Sequence, residues 1–423
     1  MTAVKRPDGV RPSGSDTARC DVVIAGAGAV GLALACALAD ALEAASVAVV
    51  DPGTFAEAST AQDARASALS AGSKRLLAVL GAWEALAAHA EAVAAVDITD
   101  SSLDDAFRPV LVSYDNTVGG GEPATWIVEN ERLHAALLEA AARRPGIARI
   151  SGAAAGYSAG LHAVTIQLVD GGSLSAPLLV AADGRSSPLR EAAGIGVVGW
   201  QYGQVGIVTT VAHDKPHRSR AVQNFFPAGP FAILPLKGNR SCVTWTEEAD
   251  RGRAIAALDD AAFLGEVEKR FGYRLGSIAL AGPRGVWPLQ MHLARALVAE
   301  RLVLVGDAAH LVHPIAGQGL NLGLRDVAAL TEVVADAARL GLDIGSAVVL
   351  ERYQRWRRTD AAMSAAAFDA LNRLFSNDAT LLRTARGAGL RLVDRVPALK
   401  RFFVTEAAGL TGELPKLLRG ERV

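Results

Sequence analysis

The sequence predicts an α/β fold in which a Rossmann-like βαβ domain is interleaved with a second domain on a mixed or antiparallel sheet, followed by a helical C-terminus. Three observations predict it. A β-branched run, Val22 to Ala25, passes through glycines into an alanine- and leucine-rich stretch, then a second run, Val47 to Val50, ends at Asp51. That is the pattern of a βαβ unit. Strand-then-turn texture returns at Leu178 to Ala182 before Asp183-Gly184, and at Leu302 to Val305 before Gly306-Asp307. Between these, Gln204 to Glu248 alternates β-formers with turns such as Lys237-Gly238-Asn239, the texture of antiparallel strands.

A chain of 423 residues exceeds what one hydrophobic core usually supports. Residues 1–19 are polar, rich in Pro, Gly and Ser, and read as a disordered leader. Residues 20–195 form the first part of the βαβ domain, with segments of the second domain inserted, and 196–290 form the sheet domain. Residues 291–345 return to the βαβ domain, and 346–423 form C-terminal helices. With 43 basic against 44 acidic residues, the chain lacks the cationic excess that a nucleic-acid partner requires. Cys20, Cys36 and Cys242 show neither CxxC nor metal-ligand spacing, which fits a cytoplasmic protein without a structural metal. Val22 to Ala39 carries no charge, but Gly26, Gly28 and Gly31 would cut a membrane span near its start.

The remaining elements follow from local signals. Gly31 to Leu42 reads as the helix of the βαβ unit. A helix follows Ser70, with Leu76, Leu77 and Leu80 on one side and Gly81 as its stop. Another starts with Asn130 as N-cap, carries Leu133, Leu137 and Ala141 inward, and ends at Arg143-Arg144-Pro145-Gly146. After Gly319 the pattern is almost wholly helical.

Gly26-Ala-Gly28-Ala-Val-Gly31 follows a strand and opens a helix, the context that a dinucleotide fingerprint requires. Gly26 allows the tight turn, Gly28 lets a pyrophosphate approach the backbone, and Gly31 lets helix and strand pack closely. The helix N-terminus offers unpaired N–H groups to phosphates. Asp51, 25 residues after Gly26, ends the second strand where a carboxylate can accept both ribose hydroxyls. Such charge-assisted bonds are worth roughly 1.5–3 kcal/mol each. Gly194-Ile-Gly196-Val-Val-Gly199 matches the same spacing but follows the helical segment Leu189 to Ala193, so it reads as a connecting loop. Periodicity leaves NAD and FAD equally open.

Further motifs resolve that choice. Ala181-Ala-Asp183-Gly184-Arg185-Ser-Ser187-Pro-Leu-Arg190 resembles the DG motif of flavoprotein aromatic hydroxylases, and Val305-Gly306-Asp307-Ala308-Ala309-His310 with Pro314 resembles their GD motif. The continuation, His313-Pro-Ile-Ala-Gly317-Gln318-Gly319-Leu-Asn321-Leu-Gly-Leu-Arg325-Asp326, resembles the ubiquinone-biosynthesis hydroxylase branch of that family, which also includes p-hydroxybenzoate hydroxylase-type flavoproteins. Asp63-Ala-Arg65-Ala-Ser-Ala-Leu69-Ser70, Gly229-Pro-Phe-Ala-Ile-Leu-Pro-Leu236 and Trp287-Pro-Leu289 add to the match, which runs from about Asp21 to the C-terminus.

The resemblance implies an FAD-dependent monooxygenase that consumes NAD(P)H and dioxygen and hydroxylates a polyprenylated phenol ring through a flavin C4a-hydroperoxide. It places Asp307 on the ribityl chain of FAD and makes Arg65 a cofactor contact. Asn130 and Arg132 would begin a helix bordering the cofactor, and Asp183, Gly306, Pro314 and Gln318 stand within the matched motifs. Physically, Asp307 at a strand end can accept hydrogen bonds from a polyol. Gly317 and Gly319 leave room for a flat ring against the N-terminus of the helix containing Asn321. The partial positive charge there favours an anionic ring by roughly 0.3–2 kcal/mol.

Other residues carry two readings. Arg185 and Arg190 either attract NAD(P)H phosphates or form surface ion pairs. His310 and His313 have no acid or third ligand spaced near them and read as structural. Phe225, Phe226, Phe231, Ile233, Leu234, Leu236, Trp245 and Trp287-Pro288 form a candidate wall that keeps water from the reaction and takes up a polyprenyl tail. No catalytic acid or base is assigned. Residues 379–423 hold nine Lys or Arg against four Asp or Glu, and the excess meets Phe402, Phe403 and Leu410. Such a surface suits peripheral contact with the inner face of an anionic membrane, contact with other ubiquinone-biosynthesis proteins, or simple solvation. Two further functions stay open, a hydroxylase of a small soluble aromatic and a non-catalytic flavoprotein subunit of a quinone-synthesis complex. A flavin-dependent halogenase would need a WxWxIP signature that the chain lacks.

Overall fold

In the computed structural model, residues 17–42, 44–53, 55, 63–103, 105, 108–314, 317–376 and 395–423 are described. Runs such as Val22-Val-Ile and Leu178-Leu-Val are apolar at every position, so both faces of their strands must be covered. They build a six-stranded sheet in the order Ile147–Ser151, Val47–Asp51, Val22–Ala25, Leu178–Ala181, Leu302–Leu304, Val298–Ala299. Every neighbouring pair is parallel except the last. Helix Ala29–Ala41 covers this sheet, with helices Asn130–Ala142 and Gly319–Arg339 packed against it. The Val22–Ala25 strand lies where the order reverses, and ligands of open parallel sheets bind beyond the strand ends there.

Alternating segments form a nine-stranded mixed sheet. Its long central strand, Val197–His213, pairs with Arg240–Glu248 on one side and Gly285–Ala294 on the other. Strands Gly229–Leu236 and Arg220–Phe226 continue it, and Ala95–Asp100 then joins in parallel, bringing Val112–Asp115 with it. Helices Ala249–Ala256 and Asp260–Phe271 close one face of this sheet over Ile207, Phe231, Val243 and Trp245. A small sheet of Ala66–Ser70, Thr125–Glu129 and Glu91–Ala92 packs against the Gly229–Leu236 strand of the nine-stranded sheet and against the Gly319–Arg339 helix. The C-terminal part is helical, with Ala347–Phe375, Pro397–Ala407 and Lys416–Arg419. Among the described residues, no helix is long and apolar enough to cross a membrane.

Several expectations change. The first helix starts at Ala29, with Gly28 as its N-cap, because the fingerprint turn is completed within the glycines. Asn130 is the first helical residue rather than the cap; Glu129 holds the extended cap conformation, and the Asn130 side chain is engaged elsewhere. Only Gly194 to Gly196 link helix to sheet, while Val197 to Gly199 already belong to the long strand. A Cβ at Gly199 would lie 2.1 Å from the Met291 carbonyl, so strand crowding, not a phosphate, requires that glycine. Residues 1–16 of the expected leader and 379–394 of the basic tail lie outside the described residues. Ala18–Arg19 pairs in parallel with Leu174–Ser175, so these two residues of the expected leader belong to a sheet. Leu410 lies beyond the helix that carries Phe402 and Phe403, and it packs on the main core.

Candidate active site

The fingerprint loop has the geometry that its glycines foretell. Gly26 adopts φ +108°, and a Cβ there would meet the Ala182 carbonyl oxygen at 2.2 Å; a Cβ at Gly31 would lie 2.0 Å from the Gly26 carbonyl oxygen. At Gly28 a Cβ would meet nothing within 4 Å, so the backbone is open to an approaching group. No side chain caps the Ala29–Ala41 helix, whose first N–H groups and positive dipole end are left for an anion. Asp51 accepts the Ala27 N–H and the Gly53 N–H, each at 2.7 Å, one on each carboxylate oxygen. It therefore shapes the loop first, with lone pairs to spare for a ribose.

A cavity of about 2310 Å³ runs from this loop to the nine-stranded sheet. Gly28, Arg65, Asn130, Arg132, Gly306, Asp307, Pro314, Gly317, Gln318, Gly319 and Asn321 all line it. Gly26, Gly31, Asp51 and Asp183 stand behind that lining. Asp183 accepts the Leu189 N–H at 3.4 Å through Oδ2, while its buried Oδ1 has no hydrogen-bond partner. Burial raises its pKa, against the Ser187 hydroxyl and neighbouring N–H groups.

Asp307 is the polar centre of the cavity. Its side chain is open to the cavity but enclosed by the protein, and this enclosure raises its pKa against the pull of His310, His292, Arg65 and Arg185. Among the described residues no group donates a hydrogen bond to its carboxylate. Its backbone carbonyl accepts from His292 at 2.9 Å. A carboxylate so placed calls for hydroxyl donors from a ligand. Arg65 pairs with Asp63 at 2.8 Å and lies 5.2 Å from the Trp287 ring centroid, so it is held at the cavity edge. Asn130 accepts the Ser67 hydroxyl at 2.7 Å, and Arg132 is exposed. Gly317 has φ +64°, and the Gly319–Arg339 helix begins with no side-chain cap, its first N–H groups beside the cavity.

Four readings are corrected here. The Asn321 side chain is saturated: Oδ1 accepts from the Ser70 N–H at 2.9 Å and the Ser73 hydroxyl at 2.8 Å, and Nδ2 donates to the Ala68 carbonyl at 2.8 Å. It ties the helix to the Ala66–Ser70 strand and can offer a ligand only its backbone. Arg190 is buried and donates to the Ala308 and Arg185 carbonyls, so it is neither a surface ion pair nor a phosphate contact; Arg185 lines the cavity. His310 does have an acid: Nε2 lies 2.6 Å from Asp326, which sequence spacing hid because the two are 16 residues apart. The expected wall is split by strand alternation. Phe225, Leu234, Trp287 and Pro288 face the cavity, whereas Phe226, Phe231, Ile233 and Trp245 pack under the helices and Leu236 joins a separate core cluster. Pro230, Ala232, Thr244 and Thr246 take the vacated places.

His134 also lines the cavity, 3.0 Å from the Ala27 carbonyl. Its position one turn after Asn130 was the available signal. Farther out, Met363, Leu371, Leu374 and Phe375 of one helix and Phe402 and Phe403 of another line the same cavity. Phe375 stacks on Phe225 with centroids 4.0 Å apart.

A dinucleotide-type loop, the Asp307 carboxylate and an apolar chamber in one cavity are the arrangement of an oxidoreductase that works through a dinucleotide cofactor. The chain belongs to the FAD binding domain family, whose match covers residues 19–367, and within it to the ubiquinone-biosynthesis hydroxylases, which are FAD-dependent aromatic monooxygenases. It is 42% identical over 414 residues to the ubiquinone hydroxylase UbiL of Rhodospirillum rubrum, covering 96% of this chain and 94% of that one. It is 34% identical over 393 residues to 3-demethoxyubiquinol 3-hydroxylase of Escherichia coli, covering 92% and 98%. The fold is that of the p-nitrophenol 4-monooxygenase PnpA of Pseudomonas putida DLL-E4, with a TM-score of 0.77, 19% identity, and 94% and 100% of the two chains covered.

Proposed function

We propose that this FAD-dependent monooxygenase hydroxylates a polyprenylated phenol ring in ubiquinone biosynthesis, consuming NAD(P)H and dioxygen. The observation that carries this reading is the single cavity joining the fingerprint loop, the Asp307 carboxylate and the apolar sheet face. The residues fit FAD, because Gly28 leaves its backbone open, Asp183 Oδ1 is an orphaned acceptor nearby, and no group among the described residues donates to Asp307 in the cavity. Gly26, Gly28 and Gly31 with the first turn of the Ala29–Ala41 helix would hold the pyrophosphate, and Asp51 the adenosine ribose. Asp307 would accept hydrogen bonds from the ribityl chain. Gly306, Pro314, Gly317, Gln318 and Gly319, with the backbone of Asn321, would border the ring, and Arg65, Asn130 and Arg132 would face the cofactor from the cavity lining, with Asp183 behind that lining. FAD, when bound, supplies the hydride acceptance and the oxygen chemistry that side chains lack.

The chain's own contribution is orientation and exclusion of water. Val208, Ala232, Leu234 and Trp287 present apolar surface toward the ring site, and Val96, Ile98 and Phe225 extend it outward. Reactive oxygen species stay productive only in such a dry chamber. A polyprenyl tail fits the outer, apolar part, where Phe402 and Phe403 are 58% and 50% exposed. These two rings, with Lys400 and Arg401 beside them, suit peripheral membrane contact near the tail's source. The test is gene deletion with identification of the accumulated quinone precursor by mass spectrometry, followed by NAD(P)H oxidation by the purified protein. Accumulation of a polyprenylphenol one hydroxyl short, and its conversion in vitro, is the expected result. No accumulation, or turnover of small soluble phenols alone, would overturn it.

A further inference from the structure

Asp326 is fully buried on the Gly319–Arg339 helix, where a carboxylate is costly unless its oxygens are met. Its Oδ2 accepts the Gly306 N–H at 2.9 Å and lies 2.6 Å from His310 Nε2, and its Oδ1 accepts from Arg357 Nε at 2.7 Å. Arg357 comes from the Ala347–Phe375 helix, where it also pairs with Asp360. The Gly306 bond has a clear local cause. The parallel ladder ends as the Val305 N–H meets the Ala181 carbonyl at 3.0 Å, so the next N–H, that of Gly306, has no strand partner. Gly306 turns to φ +59°, and the following residue sends its carboxylate into the cavity. An apolar residue at position 326 would fill the space at a lower desolvation cost but would orphan that N–H.

We infer that Asp326 is a positioning residue for the flavin: its junction with Gly306, His310 and Arg357 holds the turn that presents Asp307 to the cofactor. The inference rests on the reading that Asp307 holds the ribityl chain. It also makes the seating of the Ala347–Phe375 helix, through Arg357, a condition of tight cofactor binding.

A double-mutant cycle separates the two. Apoproteins of the wild type, Asp307→Ala, Asp326→Asn and the double variant are titrated with FAD, and quenching of flavin fluorescence yields each Kd. Asp326→Asn is expected to weaken binding about 10-fold in the wild-type background and by less than about twofold once Asp307 is gone, as coupled sites behave. An equal loss in both backgrounds, or no loss in the first, overturns the inference while leaving Asp307 in its role. If Asp307→Ala binds FAD like the wild type, the reading beneath it fails instead. Should Asp326→Asn not fold, as judged by near-ultraviolet circular dichroism, Arg357→Lys replaces it. That variant keeps the carboxylate but removes the Nε bond that orients it, and a loss of about threefold must again vanish without Asp307.

Discussion

Asp307 and Gly31 mark the two kinds of residue on which this site depends. Asp307 is an enclosed carboxylate to which no described residue donates, so on the proposed function its removal harms cofactor binding more than folding. Losing charge-assisted bonds of roughly 1.5–3 kcal/mol corresponds to about 10- to 150-fold in affinity. Asp307→Ala is therefore expected to purify folded but depleted of flavin, as read from the ratio of flavin to protein absorbance. Full flavin occupancy would contradict the assignment. Gly31 is different, since a Cβ 2.0 Å from the Gly26 carbonyl oxygen must displace backbone. Gly31→Ala should lose both flavin and several degrees of melting temperature, a cost of about 2 kcal/mol or more in the range of backbone and overpacking changes. The packing role of Gly31 was legible from the turn and strand context, whereas the ribityl assignment of Asp307 came from the family resemblance. The saturated state of Asn321 was not legible, because its partners Ser70 and Ser73 lie 251 and 248 residues away.

At the level of elements, helix Ala71–Val79 shows how local chemistry starts a helix behind the Ala66–Ser70 strand, whose Ala66, Ser67 and Ala68 line the cavity. Ser70 caps it by accepting the Ser73 N–H at 3.1 Å, and Leu76 and Leu77 turn into the main core. Removing the cap with Ser70→Ala should lower stability by about 1 kcal/mol, measured by urea unfolding of the holoprotein. An unchanged midpoint would mean that the Asn321 contacts alone hold this junction. The sheet strands teach the opposite lesson. Gly229–Leu236 was recognisable as a strand, yet which of its alternating faces meets the cavity depends on helices Ala249–Ala256 and Asp260–Phe271. Strand periodicity separates two sets of side chains without saying which set is covered.

For the molecule as a whole, acid stability reports on its buried histidines. Burial pushes His313 from 6.5 down to about 4, with Asp369 opposing. Above pH 6.5 both folded and unfolded forms are neutral and nothing is lost. As the pH falls below 6.5 the unfolded chain takes up a proton that the folded one refuses, so stability drains until the pH reaches about 4. At ~1.4 kcal/mol per unit the loss is on the order of 3 kcal/mol. His292 and His213, also lowered by burial, add in the same direction. Thermal melts between pH 7 and 4.5 should show this slope, and His313→Asn should flatten part of it; an identical slope in the variant would place the acid sensitivity elsewhere. A second molecular-scale prediction concerns the cavity rim. Phe402→Ser with Phe403→Ser should weaken cosedimentation with anionic vesicles while sparing the melting temperature, because both rings are at least half exposed.

The βαβ unit, the glycine roles and the Gly306-Asp307 turn were written in residue order, because turn geometry, fully buried strands and helix starts depend on neighbours a few positions away. The family resemblance read from those same motifs agrees with the matched domain and relatives. Folding decided what depends on distant partners: Arg190 bonding Ala308 across 118 residues, Asp326 gathering Gly306, His310 and Arg357, and three of the five aromatic wall residues, Phe226, Phe231 and Trp245, facing away from the cavity. A side chain's type states what it can bond to, but only the packed chain settles which of several competent groups comes within reach of it.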